Sequence, residues 1–516
     1  MMLLIEYFDK GVEVNPDRPF LIDDSGHRGY RDVQLISYRL AHAFGRAGVA
    51  PGTKVAVYSP NAMRAFECVI GMLRAGCVWV PVNVRNSIED NVYILGNTDT
   101  DVLIYSIAFR DQVREILPQL PRITRAICIE AADEPHASLD ALLEGAPDKR
   151  IETPGAMDDL VTLFSSGGTT GKPKGVMMTH RSWETLIANV QRLQGIDHPV
   201  HLVAAPMTHA AGGTALSMMA MGTTNVVLPG FDAERVVAAI ERHRVTHLFL
   251  PPTAIYRMLA HPNVRNYDYS SLRYFTYGGA PMAPDKIKEA LEVFGPAMMT
   301  SFGQSEMGVN ATFFSPSEHA RALREGDDRR FLSCGRAAPF YRVEIMDGEG
   351  NLVAPDTSGE IVVRSSCLMK GYYKDPEETA RAQAFGWHHT GDIGTKDEDG
   401  WIYLTDRKRD MIISGGFNIF PSEIEKALLA HPAVQDCAVV GVPHPDWGEA
   451  VTAVVELKAG CQVGLAELES CCRKRLASYK VPKSFEIWPE LPRSPVGKLL
   501  RRKVRDVFWQ GRERMI

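Results

Sequence analysis

Short runs of β-branched and apolar residues alternate with amphipathic stretches along most of this chain. Apolar runs predict strands at Lys54–Ser59, Asp101–Tyr105, Ala126–Glu130, Leu160–Phe164, Asn225–Pro229, His247–Leu250, Leu272–Tyr277 and Ala297–Ser301. Between them, apolar positions three and four apart predict helices, among them Asn61–Arg74 and Asp232–Arg244, the second behind an Asp N-cap. Such alternation builds parallel or mixed sheets covered by helices, so the fold class is α/β. One stretch, Leu202–Phe231, has no Asp, Glu, Lys or Arg. Pro206, His209, Gly212, Gly213 and Gly222 interrupt it, which predicts buried strand and helix and no membrane span. No repeat or low-complexity tract is present.

The pattern changes near residue 406, at the five consecutive charges Asp406-Arg407-Lys408-Arg409-Asp410. From 406 to the end there are 18 Lys+Arg against 14 Asp+Glu, while the preceding part has 39 against 49. A small, mildly basic C-terminal domain on a larger acidic body follows. Its predicted elements are a helix at Pro421–Ala430, strands at Asp436–Gly441 and Ala450–Leu457, a helix at Leu465–Leu476 and a strand at Ser484–Trp488. The expected organisation is a large domain over 1–405, a hinge at 406–410 and a small, mobile α+β domain over 411–516.

At 516 residues the chain is too long for one core. Hydrophobic residues at 45% and charged residues at 23% exclude a disordered or fibrous chain. A net charge of −6 supplies no basic field to hold nucleic acid. Nine cysteines, an odd number with no C-x-x-C pair, argue against a disulfide framework or zinc site and fit a reducing, cytoplasmic setting. The start, MMLLIEYFDK, is too short in apolar residues for a signal peptide.

The sharpest local signal is Ser165-Ser166-Gly167-Gly168-Thr169-Thr170-Gly171-Lys172-Pro173-Lys174-Gly175. Four glycines, four hydroxyls and two lysines in eleven positions suit a polyphosphate. Glycines let backbone N–H groups approach an anion, and hydroxyls and ammonium groups add donors. A Walker A loop is excluded, because Ser166 stands where its first glycine belongs and Pro173 follows Lys172.

This loop resembles the signature of the adenylate-forming superfamily, which includes acyl-CoA synthetases, nonribosomal-peptide adenylation domains and beetle luciferases. Further motifs follow in that family's order over about residues 160–500. Tyr277-Gly278-Gly279-Ala280-Pro281 resembles the segment beside adenine and the acyl group. Ser301-Phe302-Gly303-Gln304-Ser305-Glu306 resembles Tyr-Gly-x-Thr-Glu, in which the ring stacks on adenine, the hydroxyl meets the α-phosphate and the carboxylate helps hold Mg²⁺. Phe302 lacks the phenol hydroxyl, and Ser305 replaces Thr. Trp387-His388-His389-Thr390-Gly391-Asp392 matches Trp-x-x-Thr-Gly-Asp, which implies that Asp392 accepts from both ribose hydroxyls. The adjacent histidines carry no metal reading, since no further Cys or His lies at ligand spacing.

Residues 406–410 match the family hinge, with Arg407 near the ribose and Arg409 at the pivot, where Asp or Lys is more usual. Ser414-Gly415-Gly416-Phe417-Asn418-Ile419 matches the segment whose glycines line the pantetheine tunnel. Phe417 stands where a polar residue is common, a departure with no sequence-level explanation. Pro492-Arg493-Ser494-Pro495-Val496-Gly497-Lys498 maps the family's catalytic lysine to Lys498, whose ammonium would neutralise charge as oxygen attacks phosphorus.

The resemblance implies ATP, Mg²⁺ and coenzyme A as cofactors and a small carboxylic acid as substrate. Three features favour CoA as acceptor: Gly371-Tyr372-Tyr373-Lys374-Asp375-Pro376-Glu377, the Asp446-Trp447-Gly448-Glu449 element, and Ser478-Tyr479-Lys480. Arg85 is a candidate for CoA phosphate. The rival is a stand-alone adenylating enzyme that loads a carrier protein. Amino-acid-activating members place an Asp in the pocket, and Pro206-Met207-Thr208-His209-Ala210-Ala211-Gly212-Gly213 has none. A luciferase-like oxygenase and a catalytically silent binding protein are further alternatives; the presence of Lys498, Glu306 and Asp392 argues against the silent one. His209, Gly212, Gly213, Tyr277, Gly278 and Met307 are the candidate acyl contacts. The small residues after His209 predict a roomy wall, suited to an aromatic or medium-to-long-chain monocarboxylic acid. Homodimerisation is left open.

Overall fold

The computed structural model describes residues 2–166, 173–407, 410–414, 417–494 and 499–510, apart from the side chains of Arg407 and Asn418. They form two compact units: 2–166, 173–343 and 363–388 in the first, 344–362 and the described residues from 389 onward in the second.

Two sheets dominate the first unit. One has seven strands in the order Met298–Thr300, Tyr274–Tyr277, His247–Leu250, Val200–Val203, Thr224–Val227, Pro19–Asp23 and Gly26–Gly29. It is parallel except for the closing hairpin. The other has eight strands in the order Gly371–Tyr372, Gly175–Thr179, Leu160–Ser165, Val78–Pro81, Lys54–Tyr58, Val102–Tyr105, Arg125–Cys128 and Ala137–Ser138. From Leu160–Ser165 onward it is parallel, and the two joins at the other edge are antiparallel. The helix Met63–Arg74 buries every residue but Arg64 and touches strands of both sheets. A helix apolar nearly all round belongs between layers, and this one lies there. Gly71 lets it cross the helix Tyr30–Arg46 closely: an added Cβ would lie 2.8 Å from Leu40.

The charge-free stretch folds as expected, with strands Val200–Val203 and Thr224–Val227 around the helix Ala210–Met218. Asp232 does cap the following helix, accepting from the Arg235 amide at 2.9 Å. Among the described residues no helix is long and apolar enough to cross a membrane. None of the nine cysteines is in a disulfide, and only Cys461 is exposed.

The second unit holds a four-stranded sheet, Arg342–Met346, Gly359–Arg364, His388–Lys396 and Ile402–Arg407, whose first residues and some strand ends belong to the first unit. It also holds a five-stranded sheet built on the long hairpin Val434–His444 and Gly448–Leu457. One edge of Gly448–Leu457 carries Ile412–Ser414 and then Ser484–Trp488. Alternation along Val434–His444 sends Cys437 and Val439 into one core and Ala438 and Val440 into another. The helices Pro421–Leu429, Leu465–Arg473 and Arg501–Phe508 complete the unit.

Candidate active site

The strands Leu160–Ser165 and Gly175–Thr179 run antiparallel, with Ser165 opposite Gly175. The glycine-rich segment follows the first in sequence and leads into the second. Its mouth is clamped by Ser166, whose N–H donates to the Lys174 carbonyl at 2.8 Å and whose Oγ accepts from the Lys174 amide at 2.9 Å. Gly167, Gly168, Thr169, Thr170 and Gly171 lie outside the described residues.

The short strand Gly371–Tyr372 adds to the outer side of Gly175–Thr179, Tyr372 opposite Val176. Gly371 has φ +150°, and an added Cβ would meet Thr379 at 2.7 Å. This pairing delivers Tyr372 to the loop's base. Its phenol O–H donates to Glu306 Oε1 at 3.0 Å, and the Lys174 ammonium sits 4.8 Å from its ring centroid. Burial and then the Glu306 charge push the phenol far above its ordinary range. Lys174 also pairs with Glu378. Among the described residues no group of three or more His, Cys, Asp or Glu could form a protein cage for a metal. A lone carboxylate such as Glu306 fits Mg²⁺ that arrives with ATP, because phosphate and water oxygens then fill most of its octahedron.

The strands Tyr274–Tyr277 and Met298–Thr300 are parallel, with Tyr277 opposite Thr300. Their following loops, Gly278–Pro281 and Ser301–Glu306, therefore leave the same sheet edge, the place where open α/β sheets bind ligands. Thr300 Oγ1 donates to the Tyr277 carbonyl at 2.8 Å. Gly278 lies against the second loop: a Cβ there would be 3.6 Å from the Ser301 carbonyl oxygen. Gly279 has φ +80°, while Ala280 and Pro281 are exposed. Gly303 is required, because a Cβ would come within 2.4 Å of the Gly308 carbonyl oxygen. Gln304 N–H closes that turn onto Gly308 at 3.2 Å, and Ser301 Oγ donates to the Val309 carbonyl at 3.0 Å. Ser305 is half-buried and Met307 fully buried. Phe302 is only 8% exposed, so most of its ring faces the interior.

Tyr277 turns its phenol inward, 2.9 Å from His319 Nε2. His319 Nδ1 faces the Ser315 carbonyl at 3.0 Å, so Nδ1 carries the proton and Nε2 accepts from Tyr277. Burial holds this imidazole neutral, its pKa lowered to about 4.

His209 precedes the helix Ala210–Met218, and its Nδ1 lies 3.1 Å from Thr208 Oγ1. The two glycines beside it differ in their surroundings. Gly212 is glycine because a Cβ would lie 1.8 Å from the Met207 carbonyl oxygen, so backbone already occupies that space. At Gly213 a Cβ would meet only the Trp183 ring, at 4.0 Å. Asn61, unmarked by sequence reasoning, stitches the two sheets together. Its amide donates to the Ala205 and Leu228 carbonyls at 2.9 and 3.1 Å and its oxygen accepts from Met207 N–H at 2.8 Å. A polar residue just past an apolar strand was the available signal. Beside Asn61 a small cleft is lined by Arg85, Asn83, Thr208 and Gly230.

In the second unit Asp392 is buried on His388–Lys396, in register with Arg407 on the neighbouring strand. The two candidate ribose residues are thus paired by sheet geometry. His389 pairs with Glu360 at 3.2 Å, and Glu360 also accepts from the Gly391 amide at 3.0 Å. Ser414 lies opposite Phe417 on one side and Gly448 on the other. Gly448 directly follows Trp447 in sequence. The indole stacks on His444 at 4.1 Å, with Lys483 5.5 Å from its centroid. Phe417, exposed, stacks on Tyr479 at 4.7 Å, which gives this unusual residue a partner. Lys480 is engaged by Glu423 at 2.6 and 2.7 Å. Arg409, Gly415, Gly416 and Lys498 lie outside the described residues.

The chain matches the model of the AMP-binding enzyme family over residues 8–373 and that of the AMP-binding enzyme C-terminal domain over 423–498. It is 36% identical to a feruloyl-CoA synthase from Amycolatopsis sp., covering 93% of this chain and 94% of the relative. It is 32% identical to the medium/long-chain-fatty-acid–CoA ligase FadD8 of Mycobacterium tuberculosis, covering 94% and 88%. Its structure resembles that of the amide bond synthetase McbA from Marinactinospora thermotolerans, with a TM-score of 0.88, 30% identity and coverage of 98% and 100%. With these motifs and relatives, the chain belongs to the AMP-binding enzyme family, the adenylate-forming enzymes that include the acyl-CoA synthetases.

Proposed function

We propose that this protein is an ATP-dependent acid–CoA ligase that acts on an aromatic or medium-to-long-chain monocarboxylic acid. The carrying observation is the placement of Lys174 and Glu306 on either side of Tyr372 at the mouth of the glycine-rich loop. A cation and a carboxylate that both engage one tyrosine suit a magnesium-bound triphosphate. Relatives across nearly the whole chain, named for feruloyl-CoA and fatty-acyl-CoA formation, support the reaction and the acid class.

A carboxylate is a poor electrophile. In the first step its oxygen attacks the α-phosphorus of ATP, the bond to the β-phosphate oxygen breaks, and pyrophosphate leaves. Catalysis is then mainly positioning and charge neutralisation. Ser165, Ser166, Thr169, Thr170 and Lys174 hold the phosphates. Gly279 to Pro281 and Ser301 to Ser305 bound the adenine, and Asp392 and Arg407 take the ribose hydroxyls. Bound Mg²⁺ supplies charge neutralisation on the phosphate oxygens, and Glu306 is the residue that would hold it. Lys498 bridges the attacking carboxylate and the α-phosphate.

In the second step the CoA thiol, losing its proton, attacks the acyl carbon and AMP leaves. The acceptor residues in this reading are Arg85, Gly415, Gly416, Trp447, Tyr479 and Lys480. His209 stands by the acyl carboxylate. The proposal includes a pivot at Arg409, with the chain working as a body over 1–405 and a lid over 411–516. Nine cysteines outside any disulfide support a reducing, cytoplasmic location.

The test is AMP release from Mg·ATP with a panel of aryl and C6–C16 acids, with and without CoA, thioesters being identified by mass. CoA-dependent AMP release with a new thioester is the expected result. The structural likeness to an amide bond synthetase keeps a second acceptor class in view. Pyrophosphate exchange without thioester would move the acceptor to an amine or a carrier protein.

A further inference from the structure

We propose that Glu378 is the resting counter-ion of Lys174, a positioning residue that holds the ammonium beside the nucleotide site and releases it to the triphosphate when Mg·ATP binds. The inference rests on the reading of Lys174 as a phosphate ligand.

Lys174 has a fixed root and a shared tip. Its backbone N–H and carbonyl both bond Ser166, at 2.9 and 2.8 Å, so the side chain starts from an anchored point at the loop's mouth. Its ammonium pairs with Glu378 Oε1 and lies over the Tyr372 ring at 4.8 Å. Side chains of Lys174 and Glu378 are 29% and 28% exposed, so water reaches the pair and can support an exchange of partners. Glu378 is itself fixed: its N–H donates to the Asp375 carboxylate at 3.0 Å, at the start of the helix Pro376–Ala382.

The carboxylate has a second cation. Glu378 Oε2 lies 3.4 Å from Arg381, one turn along the same helix. Departure of Lys174 therefore does not strand a lone negative charge, which would otherwise oppose ligand binding. Tyr372 joins both ends of the arrangement. Its ring faces the ammonium, while its O–H is spent on Glu306 at 3.0 Å. The phenol thus neither competes for Lys174 nor leaves the Glu306 carboxylate to capture it. A triphosphate carries several negative charges against one on Glu378, so it wins the ammonium once bound.

Calorimetric titration of Mg·ATP onto the full-length enzyme, without acid or CoA, tests this. Glu378→Gln is isosteric and keeps the helix, and it should lower the Kd for ATP about two- to fivefold, the range of a partly exposed ion pair. Lys174→Ala should raise the Kd, and adding Glu378→Gln to it should change the Kd by less than about 1.5-fold. An equal tightening in the Lys174→Ala background would overturn the proposal, since the effect would then be a general field. Weaker ATP binding by Glu378→Gln alone would also overturn it, making Glu378 a support for the bound state. An unchanged Kd in Lys174→Ala would instead remove Lys174 from the phosphate site and defeat the underlying reading.

Discussion

The guanidinium of Arg501 lies 3.4 Å from the carboxylate of Asp410. The same group reaches Asp406 at 3.9 Å and pairs with Glu425. One cation thus ties both ends of the charged run 406–410 to the helix Pro421–Leu429. Glu425 is buried, and its carboxyl is raised by burial and pulled back by Arg501. Removing Arg501 strands that charge. Arg501→Ala should cost about 3 kcal/mol, the lower end for breaking a buried pair, because Arg501 itself keeps a quarter of its side chain exposed. Chemical denaturation at pH 7 measures it, and a loss below about 0.5 kcal/mol would show that the cluster contributes nothing to stability.

Glu67 gives a stability prediction of the opposite sign. It is 1% exposed in the helix Met63–Arg74, and its oxygens have no hydrogen-bond partner, only Arg28 at 3.3 Å and Arg64 at 3.7 Å. Burial pushes its carboxyl up to about 7, against the pull of the two arginines. A carboxyl whose folded value exceeds the unfolded one contributes stability that is present below about 4.5 and lost as pH rises through 7. Glu67→Gln should therefore be nearly neutral at pH 4.5 and stabilising by roughly 2–3 kcal/mol at pH 8. Parallel pH–stability curves for the two proteins would refute the assignment.

The strand pattern is legible in the sequence because most core strands are short continuous apolar runs. His247–Leu250 and Ser484–Trp488 need no adjustment of their ends. What periodicity misses is set by distant chain. Gly371–Tyr372 is a strand only because Val176 and Met177 offer an edge nearly two hundred residues earlier. Arg501–Phe508 buries Val504 alone, too little apolar pattern to announce a helix. The site divides the same way. Motif spacing marks Lys174 and Glu306 as candidates, but not the phenol of Tyr372 that both engage, nor Glu378, nor Asn61, since each of these has partners remote in sequence. Phe417 is uninterpretable as a letter and becomes a stacking partner once Tyr479 is beside it.

Gly212 tests the acyl wall. A Cβ there would lie 1.8 Å from the Met207 carbonyl oxygen, and the nearest atoms are all Met207 backbone, with no side chain to swing away. Gly212→Ala must shift the start of the helix Ala210–Met218, and His209 with it. The expected cost is about 1–3 kcal/mol of stability with a raised KM for the acid. Gly213→Ala meets only the edge of Trp183 at 4.0 Å, so it should leave stability within about 0.5 kcal/mol while altering which acids are accepted. Equal stability losses in the two variants would contradict the packing described for this turn.

Variants of Trp447 and Lys498 test the proposed division of the two half-reactions. Trp447 is 40% exposed, stacked on His444 and flanked by Lys483, with Gly448 in register with Ser414 at the start of the glycine pair. An exposed indole already backed by a second ring and a cation is a ready platform for a purine, worth about 1–3 kcal/mol when a base stacks on it. Trp447→Ala should therefore raise the KM for CoA about tenfold or more and leave acid-dependent pyrophosphate exchange near the parent rate. Lys498→Ala should do the reverse, lowering exchange by orders of magnitude while ATP still binds, because in the proposed reaction its ammonium neutralises charge that develops only as oxygen attacks phosphorus. A synthetic acyl-adenylate supplied to Lys498→Ala should still yield thioester with CoA, and supplied to Trp447→Ala it should not do so efficiently at low CoA. If both variants lose exchange together, Trp447 belongs to the adenylation step and its assignment to the acceptor fails.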